Sequence, residues 1–345
     1  MRYLLSVGNL SQQRKASIYG ENIMKEKFKA VIVGHAIGDA IGVPVEFVSR
    51  KELKRHPVTT MTGYGTYPMP RGAWSDDTSM SLCALDAFGA DKLNFDKVMV
   101  NFALWYYRDK FTPTGEMFDV GNTCSFAIER YVKDRMSWKK CGLSDENSNG
   151  NGSLMRIHPF VLYTFLLDTN TKTKIEIIEL ASALTHAHKR SKMACGIYAF
   201  VLWEILSSNS CINHQGVVRC GLKKARDYYK NNIEFSHFER MYKNLNVDGF
   251  ADGLVVEQDI VSDGYVVNTL EAAIWCLLTT NTYSDCVLKA VNLGDDTDTT
   301  AAIAGGLAGA VYGYNAIPQQ WKNDLIKLDY IEHLCERAFG CKLGR

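Results

Sequence analysis

Residues 294–313, GDDTDTTAAIAGGLAGAVYG, join an acidic start to a run of small apolar residues. In this run glycine recurs every four residues, at positions 305, 309 and 313. A second stripe with the same spacing lies at Gly34, Gly38 and Gly42. Glycine within a helix costs about 1 kcal/mol relative to alanine, so a glycine stripe is typical of a helix that another backbone approaches closely. We therefore predict two central helices packed against each other near the functional site, the alternative being ordinary loop glycines.

The rest of the chain has the composition of a folded protein without a polyanion-binding character. Of 345 residues, 46% are hydrophobic and 22% charged, and the net charge is +1. This balance allows a large core and argues against nucleic-acid binding. We see no signal peptide and no membrane span, and the ten cysteines contain no CxxC pair. We therefore expect a cytoplasmic protein with reduced, mostly buried thiols.

The apolar periodicity predicts helices and no sheet of any size. Stretches with helical character are 95–107, 175–184, 193–206 and 265–278. Ser284 is expected to cap a further helix. Length alone would allow two domains, but the pattern favours an all-α fold.

Two acidic clusters, each placed before an apolar helix, are the strongest chemical signal. The first is Ser75-Asp76-Asp77-Thr78, and the second is Asp295-Asp296-Thr297-Asp298-Thr299. Helix capping explains one acidic or hydroxyl side chain per helix, but five aspartates would repel one another unless cations neutralise them. Donors that are all hard oxygens favour Mg²⁺, Mn²⁺ or Ca²⁺ over Zn²⁺. The clusters therefore predict a metal site if the fold brings them together.

Five ordered blocks resemble the ADP-ribosylglycohydrolase family. They are GHAIGDAIGVPVEF (34–47), GAWSDDTSM (72–80), GNGSLMRIHPF (150–160), LTHAHKRS (184–191) and the segment 264–313. The resemblance implies a compact, single-domain all-α helical bundle with two Mg²⁺ or Mn²⁺ ions. By position, the implied metal ligands are Ser75, Asp76, Asp77, Asp296, Asp298 and Thr299. Where the family has a second glycine this chain has Asp295, which we do not count as a ligand.

The resemblance also implies catalytic and substrate-binding residues. Glu46, Asp77 and Asp298 are the implied catalytic carboxylates, although Glu46 alone would pass for a surface glutamate. The implied substrate-binding residues are Asp119, Gly150, Asn151, Gly152, Ser153 and His186. Capping by Asp119 and an ordinary turn at 150–153 are the alternatives. His186 and His188, expected on different faces of a helix, make a poor metal pair. Asp39 is expected to form a structural hydrogen bond, and Arg156 is a candidate to pair with an anion or a carboxylate.

The implied activity is removal of ADP-ribose from modified protein side chains, with arginine favoured. Serine-linked ADP-ribose, a small ADP-ribose conjugate and a catalytically silent binding role are the alternatives. We divide the chain into an extension, 1–28, and a domain, 29–345. Because some members of the family protect against ADP-ribosylating toxins, the extension is a candidate to block a toxin through Tyr3, Leu4, Leu5, Arg14 and Tyr19.

Overall fold

The computed structural model describes residues 2–88, 93–208, 213–235, 237, 241–242, 245 and 255–343, with side chains from residue 20 to 340. The helices are α1 (Arg2–Gly42), α2 (Arg50–Leu53), α3 (Asp76–Asp86), α4 (Phe95–Arg108), α5 (Asn122–Val132), α6 (His158–Phe165), α7 (Thr171–Ala183), α8 (Lys189–Ser207), α9 (His214–Lys230), α10 (Val266–Leu278), α11 (Tyr283–Val291), α12 (Thr297–Tyr312), α13 (Gln319–Asp324) and α14 (Leu328–Leu343). The described ranges contain no strand, and the helices enclose one hydrophobic core. The predicted all-α, single-domain fold is confirmed.

Helices α1 and α12 form the centre of the molecule, and glycine lets their backbones touch. A Cβ atom on Gly34 would lie 2.5 Å from the Gly305 carbonyl oxygen, and one on Gly305 would lie 2.4 Å from the Gly34 oxygen. A Cβ atom on Gly42 would lie 2.3 Å from the Cα of Asp298. These pairs show that the helices run antiparallel, so the end of α1 meets the start of α12. The predicted close pair is confirmed.

The second glycine stripe is shorter than predicted. Helix α12 ends at Tyr312, and Gly313 follows it with φ +83°. A Cβ atom on Gly313 would meet nothing within 4 Å. Its role is therefore to end the helix in the left-handed region, which glycine adopts without strain.

The four predicted helical stretches correspond to α4, α7, α8 and α10. The predicted cap at Ser284 is wrong, because the backbone N–H of Asp285 donates to Thr282 Oγ1 at 3.1 Å and the helix begins at Tyr283. The buried Tyr283 hydroxyl donates to the Gly34 carbonyl at 2.7 Å. This contact with α1 places Tyr283 at the start of the helix and Ser284 inside it.

The boundary predicted at residue 28 falls within α1, which continues through it. Phe28 is buried in the core, and Met24 packs against it. Lys27 Nζ donates to the carbonyls of Leu206 and Ser208 at 2.9 and 2.7 Å. The described residues just before position 28 thus pack with the domain, while the functional division at this point stays a prediction.

Among the residues that the structure describes, one helical segment, Gly20–Val45, is long and apolar enough to cross a membrane. However, 89% of its most apolar window is buried inside the protein, as is typical of a core helix. The cysteine side chains within the described residues are free thiols, and most of them are buried.

Replacing Gly34 with valine should destabilise the protein by about 3 kcal/mol or more, since the new side chain meets backbone that cannot yield. Urea unfolding measures the change. Gly20→Ala is the matched control: a Cβ atom there meets nothing within 4 Å. Alanine should stabilise that helical position by up to about 1 kcal/mol. Equal stability of Gly34→Val and the wild type would contradict the close pairing.

Candidate active site

Four chain segments meet at one end of the central helix pair. Ser75 caps α3 by accepting a hydrogen bond from the Asp77 N–H at 3.3 Å. Thr299, in the first turn of α12, lies with its Oγ1 3.4 Å from Asp77 Oδ1. Carboxylate oxygens of Glu46, Asp119 and Asp298 lie within 4.8 Å of one another. The structure therefore brings together the two acidic clusters that the sequence separates by more than 200 residues.

Asp39 fixes α3 against α1. Its carboxylate accepts hydrogen bonds from the N–H of Ser75 at 2.9 Å and the N–H of Thr78 at 3.1 Å. It also accepts from Thr78 Oγ1 at 2.6 Å. The side chain is fully used in orienting the first turn of α3, which confirms its predicted structural role.

The segment that carries Glu46 is joined to the loop that carries Asp296. The N–H of Phe47 donates to the Asp295 carbonyl at 2.7 Å, and the N–H of Asp295 donates to the Val48 carbonyl at 2.9 Å. The Arg50 guanidinium donates, at 2.7 Å each, to the carbonyls of Leu293, Glu257 and Ile260. Glu46 and Asp296 are thus held by a single hydrogen-bonded unit.

A second loop supports Glu46 from the other side. Thr66 donates through its N–H to the Pro44 carbonyl at 3.0 Å and through Oγ1 to the Glu46 carbonyl at 2.6 Å. The hydroxyl of the following residue, Tyr67, favours the charged forms of Glu46 and Asp119 and so lowers the pKa of each carboxyl, against the larger effect of burial.

Burial and mutual repulsion raise the pKa values of these acids. Burial first, and then the charge of Asp119, raise the pKa of Glu46 to about 8. Burial, and then Asp296, raise the pKa of Asp119 to about 6. Burial and neighbouring carboxylates raise the pKa values of Asp76, Asp77 and Asp298 well above the usual range.

Several acid oxygens point into the cluster without a hydrogen-bond donor. Within the described part of the chain, the buried atoms Glu46 Oε2, Asp77 Oδ2 and Asp296 Oδ1 have no such partner. A buried carboxylate oxygen without a partner is costly unless a proton or a cation satisfies it. The donor set consists of hard oxygens, so the cluster can bind a metal ion such as Mg²⁺ or Mn²⁺.

The predicted substrate loop at 150–153 lies beside the acids. Asn151 Nδ2 donates to Asp296 Oδ2 at 2.7 Å and to Thr269 Oγ1 at 3.0 Å. At Gly150 a Cβ atom would lie 3.7 Å from His186 Nε2, and at Gly152 it would lie 2.9 Å from His186 Cε1. Gly152 thus allows this loop to pack closely on the histidine, whereas a Cβ atom on Gly150 would make only an ordinary van der Waals contact.

Ser153 and His186 are turned into the protein. The Ser153 hydroxyl accepts from Ser182 Oγ at 2.9 Å and is fully buried. His186 Nδ1 lies 2.8 Å from Thr185 Oγ1, and burial lowers the pKa of the imidazole to about 3, so it is neutral. Ser153 therefore exposes no surface to a ligand in this structure.

The structure corrects two predictions next to this loop, namely the helical placement of the two histidines and the pairing of Arg156 with a carboxylate. His186 and His188 lie on an extended turn before α8 rather than within a helix, and His188 caps α8 by accepting from the Arg190 N–H at 3.1 Å. Arg156 pairs with no carboxylate among its described contacts. It is buried, donates to the Ala181 carbonyl at 3.2 Å and to Thr185 Oγ1 at 2.7 Å, and packs on the Phe102 ring.

Sequence reasoning missed Tyr67 and Arg50. Tyr67 stands in the turn-rich stretch GYGTYPMP (63–70), whose composition signals a loop and nothing more. The acceptors of Arg50 are backbone carbonyls more than 200 residues away, which leave no mark on the sequence.

The profile of the ADP-ribosylglycohydrolase family matches residues 21–343, so the chain belongs to this family. It is an ADP-ribosylglycohydrolase, a hydrolase that removes ADP-ribose, which confirms the resemblance seen in the sequence.

Individual relatives agree with this assignment. The chain is similar to the ADP-ribosylarginine hydrolase Tri1 of Serratia proteamaculans, with 32% identity over 315 residues, 91% of this chain and 79% of the relative. It is 31% identical over 301 residues to the ADP-ribosyl-(dinitrogen reductase) glycohydrolase of Rhodospirillum rubrum, covering 86% of this chain and 88% of that protein. A solved structure described as an ADP-ribosylglycohydrolase-related protein complex superposes with a TM-score of 0.72 and 25% identity, covering 93% of this chain and 99% of that one.

The raised pKa values predict how the cation-free protein responds to pH. Above pH 6.5, the ordinary pKa of histidine, the histidines of the unfolded chain are largely neutral. Between this pH and the Glu46 pKa of about 8, the unfolded chain has already lost the Glu46 proton, whereas the folded protein keeps it. The free energy of unfolding in EDTA should therefore fall as pH rises through this window, on the order of 1 kcal/mol per pH unit. Chemical denaturation at several pH values measures the slope. Glu46→Gln should make it shallower, and a slope that is flat or rising in the wild type would contradict the raised pKa.

Proposed function

We propose that this enzyme removes ADP-ribose from modified arginine side chains of proteins, and that it requires two Mg²⁺ or Mn²⁺ ions. The observation that carries the proposal is the set of buried, unpartnered carboxylate oxygens of Glu46, Asp77 and Asp296 at the meeting point of the two clusters. Carboxylate oxygens arranged in this way can stabilise a positively charged reaction centre. Glycosidic cleavage passes through an oxocarbenium-like state of this kind.

The proposed metal ligands fit the donor chemistry of these ions. They are Ser75, Asp76, Asp77, Asp296, Asp298 and Thr299, all of which offer hydroxyl or carboxylate oxygens. The proposed ligands on α3 and α12 lie at the N-termini of these helices, where the positive end of the helix dipole partly offsets the charge of the acids. Bound there, the ions would supply positive charge that orients the ribose hydroxyls and lowers the pKa of a water molecule.

Glu46 is the proposed general base. Its Oε2 atom is buried and free of donors, so it can accept a proton from the attacking water. Its carboxylate and those of Asp77 and Asp298 stabilise the positive charge that develops on the sugar as the bond to the leaving group breaks. The Tyr67 hydroxyl lowers the pKa of Glu46 and so favours the charged form that a base requires.

Asp119 favours arginine as the leaving group. A carboxylate can accept two parallel hydrogen bonds from a guanidinium group, which a serine hydroxyl cannot supply. Its oxygen lies within 4.8 Å of an oxygen of Glu46, so the leaving group and the base occupy one pocket. The similarity to hydrolases named for ADP-ribosylarginine supports this choice. Serine-linked ADP-ribose and small conjugates are the other candidates.

An immunity role, with residues 1–28 blocking a toxin, stays a prediction, as does the cytoplasmic location. The side chains at issue, Tyr3, Leu4, Leu5, Arg14 and Tyr19, lie outside the described side chains. The enzyme activity does not depend on this role.

With Mg²⁺ or Mn²⁺ present, the protein should release ADP-ribose from arginine-modified protein faster than from serine-modified protein, and EDTA should abolish release. Asp77→Asn and Asp298→Asn should each lower the rate by at least about 100-fold, because each removes a charge that stabilises the transition state. Released ADP-ribose is quantified by chromatography.

The matched control is Asp295→Asn. This exposed acid lies next to Asp296 on the same loop, and asparagine tolerates its φ of +60°. Activity should stay near the wild-type level. Full activity of Asp77→Asn, or activity that persists in EDTA, would refute the proposed site.

A further inference from the structure

Two exposed aromatic residues lie in the segments that hold the catalytic glutamate, and both have an unfavourable backbone conformation. Phe47, the residue after Glu46, is 70% exposed and has φ +64°. Tyr64 is 65% exposed and has φ +58°. Bulky residues rarely adopt the left-handed region, and neither ring gains from burial. Folding alone therefore does not explain these side chains.

Both residues belong to the segments that hold Glu46. The N–H of Phe47 donates to the Asp295 carbonyl, and the N–H of Tyr64 donates to the Met69 carbonyl at 2.7 Å. Tyr64 lies two residues before Thr66, whose hydroxyl donates to the Glu46 carbonyl. Glu46 itself is only 6% exposed, so adjacent residues point in opposite directions, one into the site and one to solvent. We call Phe47 and Tyr64 the aromatic rim.

We propose that the aromatic rim binds the polypeptide of the modified protein on either side of the ADP-ribosylated residue. This inference rests on the proposed function. In the proposed reaction the leaving group lies between Glu46 and Asp119, whose carboxylate oxygens are within 4.8 Å of each other. The polypeptide beyond the leaving group must then leave the site past the residues next to Glu46.

The chemistry of the rim suits a segment with basic side chains. Aromatic faces attract guanidinium and ammonium groups and pack well on their aliphatic stems. The rim would therefore favour arginine-rich or lysine-rich surroundings of the modified residue.

The test compares two substrates that contain the same scissile bond: an arginine-ADP-ribosylated protein and free ADP-ribosylarginine. Phe47→Ala and Tyr64→Ala should lower kcat/KM for the protein roughly tenfold, mainly through KM, as expected for an aromatic contact residue. The loss on the free conjugate should be at least five times smaller. Tyr107→Ala, which removes a 39% exposed aromatic from the regular helix α4, should change neither value.

Equal losses on both substrates would overturn the proposal, because the rings would then act on the nucleotide or on Glu46. No loss on either substrate would overturn it as well. Thermal melting supplies a second readout: Phe47→Gly should melt at a higher temperature than the wild type because glycine relieves the backbone strain. A lower melting temperature would assign the ring a structural role and contradict the proposal.

A wild-type protein that cleaves neither substrate would refute the proposed function and leave the rim open to a separate measurement. Fluorescence anisotropy with the labelled ADP-ribosylated protein then reports affinity. Weaker binding by Phe47→Ala and Tyr64→Ala would support the rim, and unchanged binding would overturn it.

Discussion

Direct backbone contact between α1 and α12 is the constraint on which the rest of the structure depends. At the end where the site forms, Gly42 packs on Asp298, and Thr297 Oγ1 donates to the Gly42 carbonyl at 2.8 Å. A side chain at Gly42 would push α12 away from the turn that carries Glu46. The glycine stripe therefore sets the separation between Glu46 and the acidic start of α12.

This close contact creates an electrostatic cost that the protein alone does not remove. Carboxylates at the start of two helices and in the turn after a third are withdrawn from water and face one another. Helix dipoles, Asn151 and the Tyr67 hydroxyl offset part of this cost, but the oxygens of Glu46, Asp77 and Asp296 keep no donor within the described chain. Protons supply the remainder in the cation-free protein, as the raised pKa values indicate, and bound divalent cations would take their place.

Much of this architecture was predictable from the sequence, because it depends on residue types at regular spacing. Glycine every four residues predicted the central pair, and aspartates before apolar helices predicted the acidic centre. Contacts that use backbone acceptors left no such pattern. Arg50 donates to backbone carbonyl groups. Arg156 donates to a carbonyl and a hydroxyl, where we expected an anion or a carboxylate. Thr282 caps its helix in place of Ser284, because Tyr283 contacts α1. The supporting hydrogen bonds of an active site are thus harder to foresee than its charged groups.

Cation binding within the acidic cluster is the central claim, and anomalous diffraction from crystals grown with Mn²⁺ tests it most directly. We expect two anomalous peaks between the carboxylates of Asp77 and Asp298, each within coordination distance of oxygens from both α3 and α12. Crystals in which Mn²⁺ is absent from this cluster at saturating concentration, with the acid oxygens bound only by water or by one another, would contradict it.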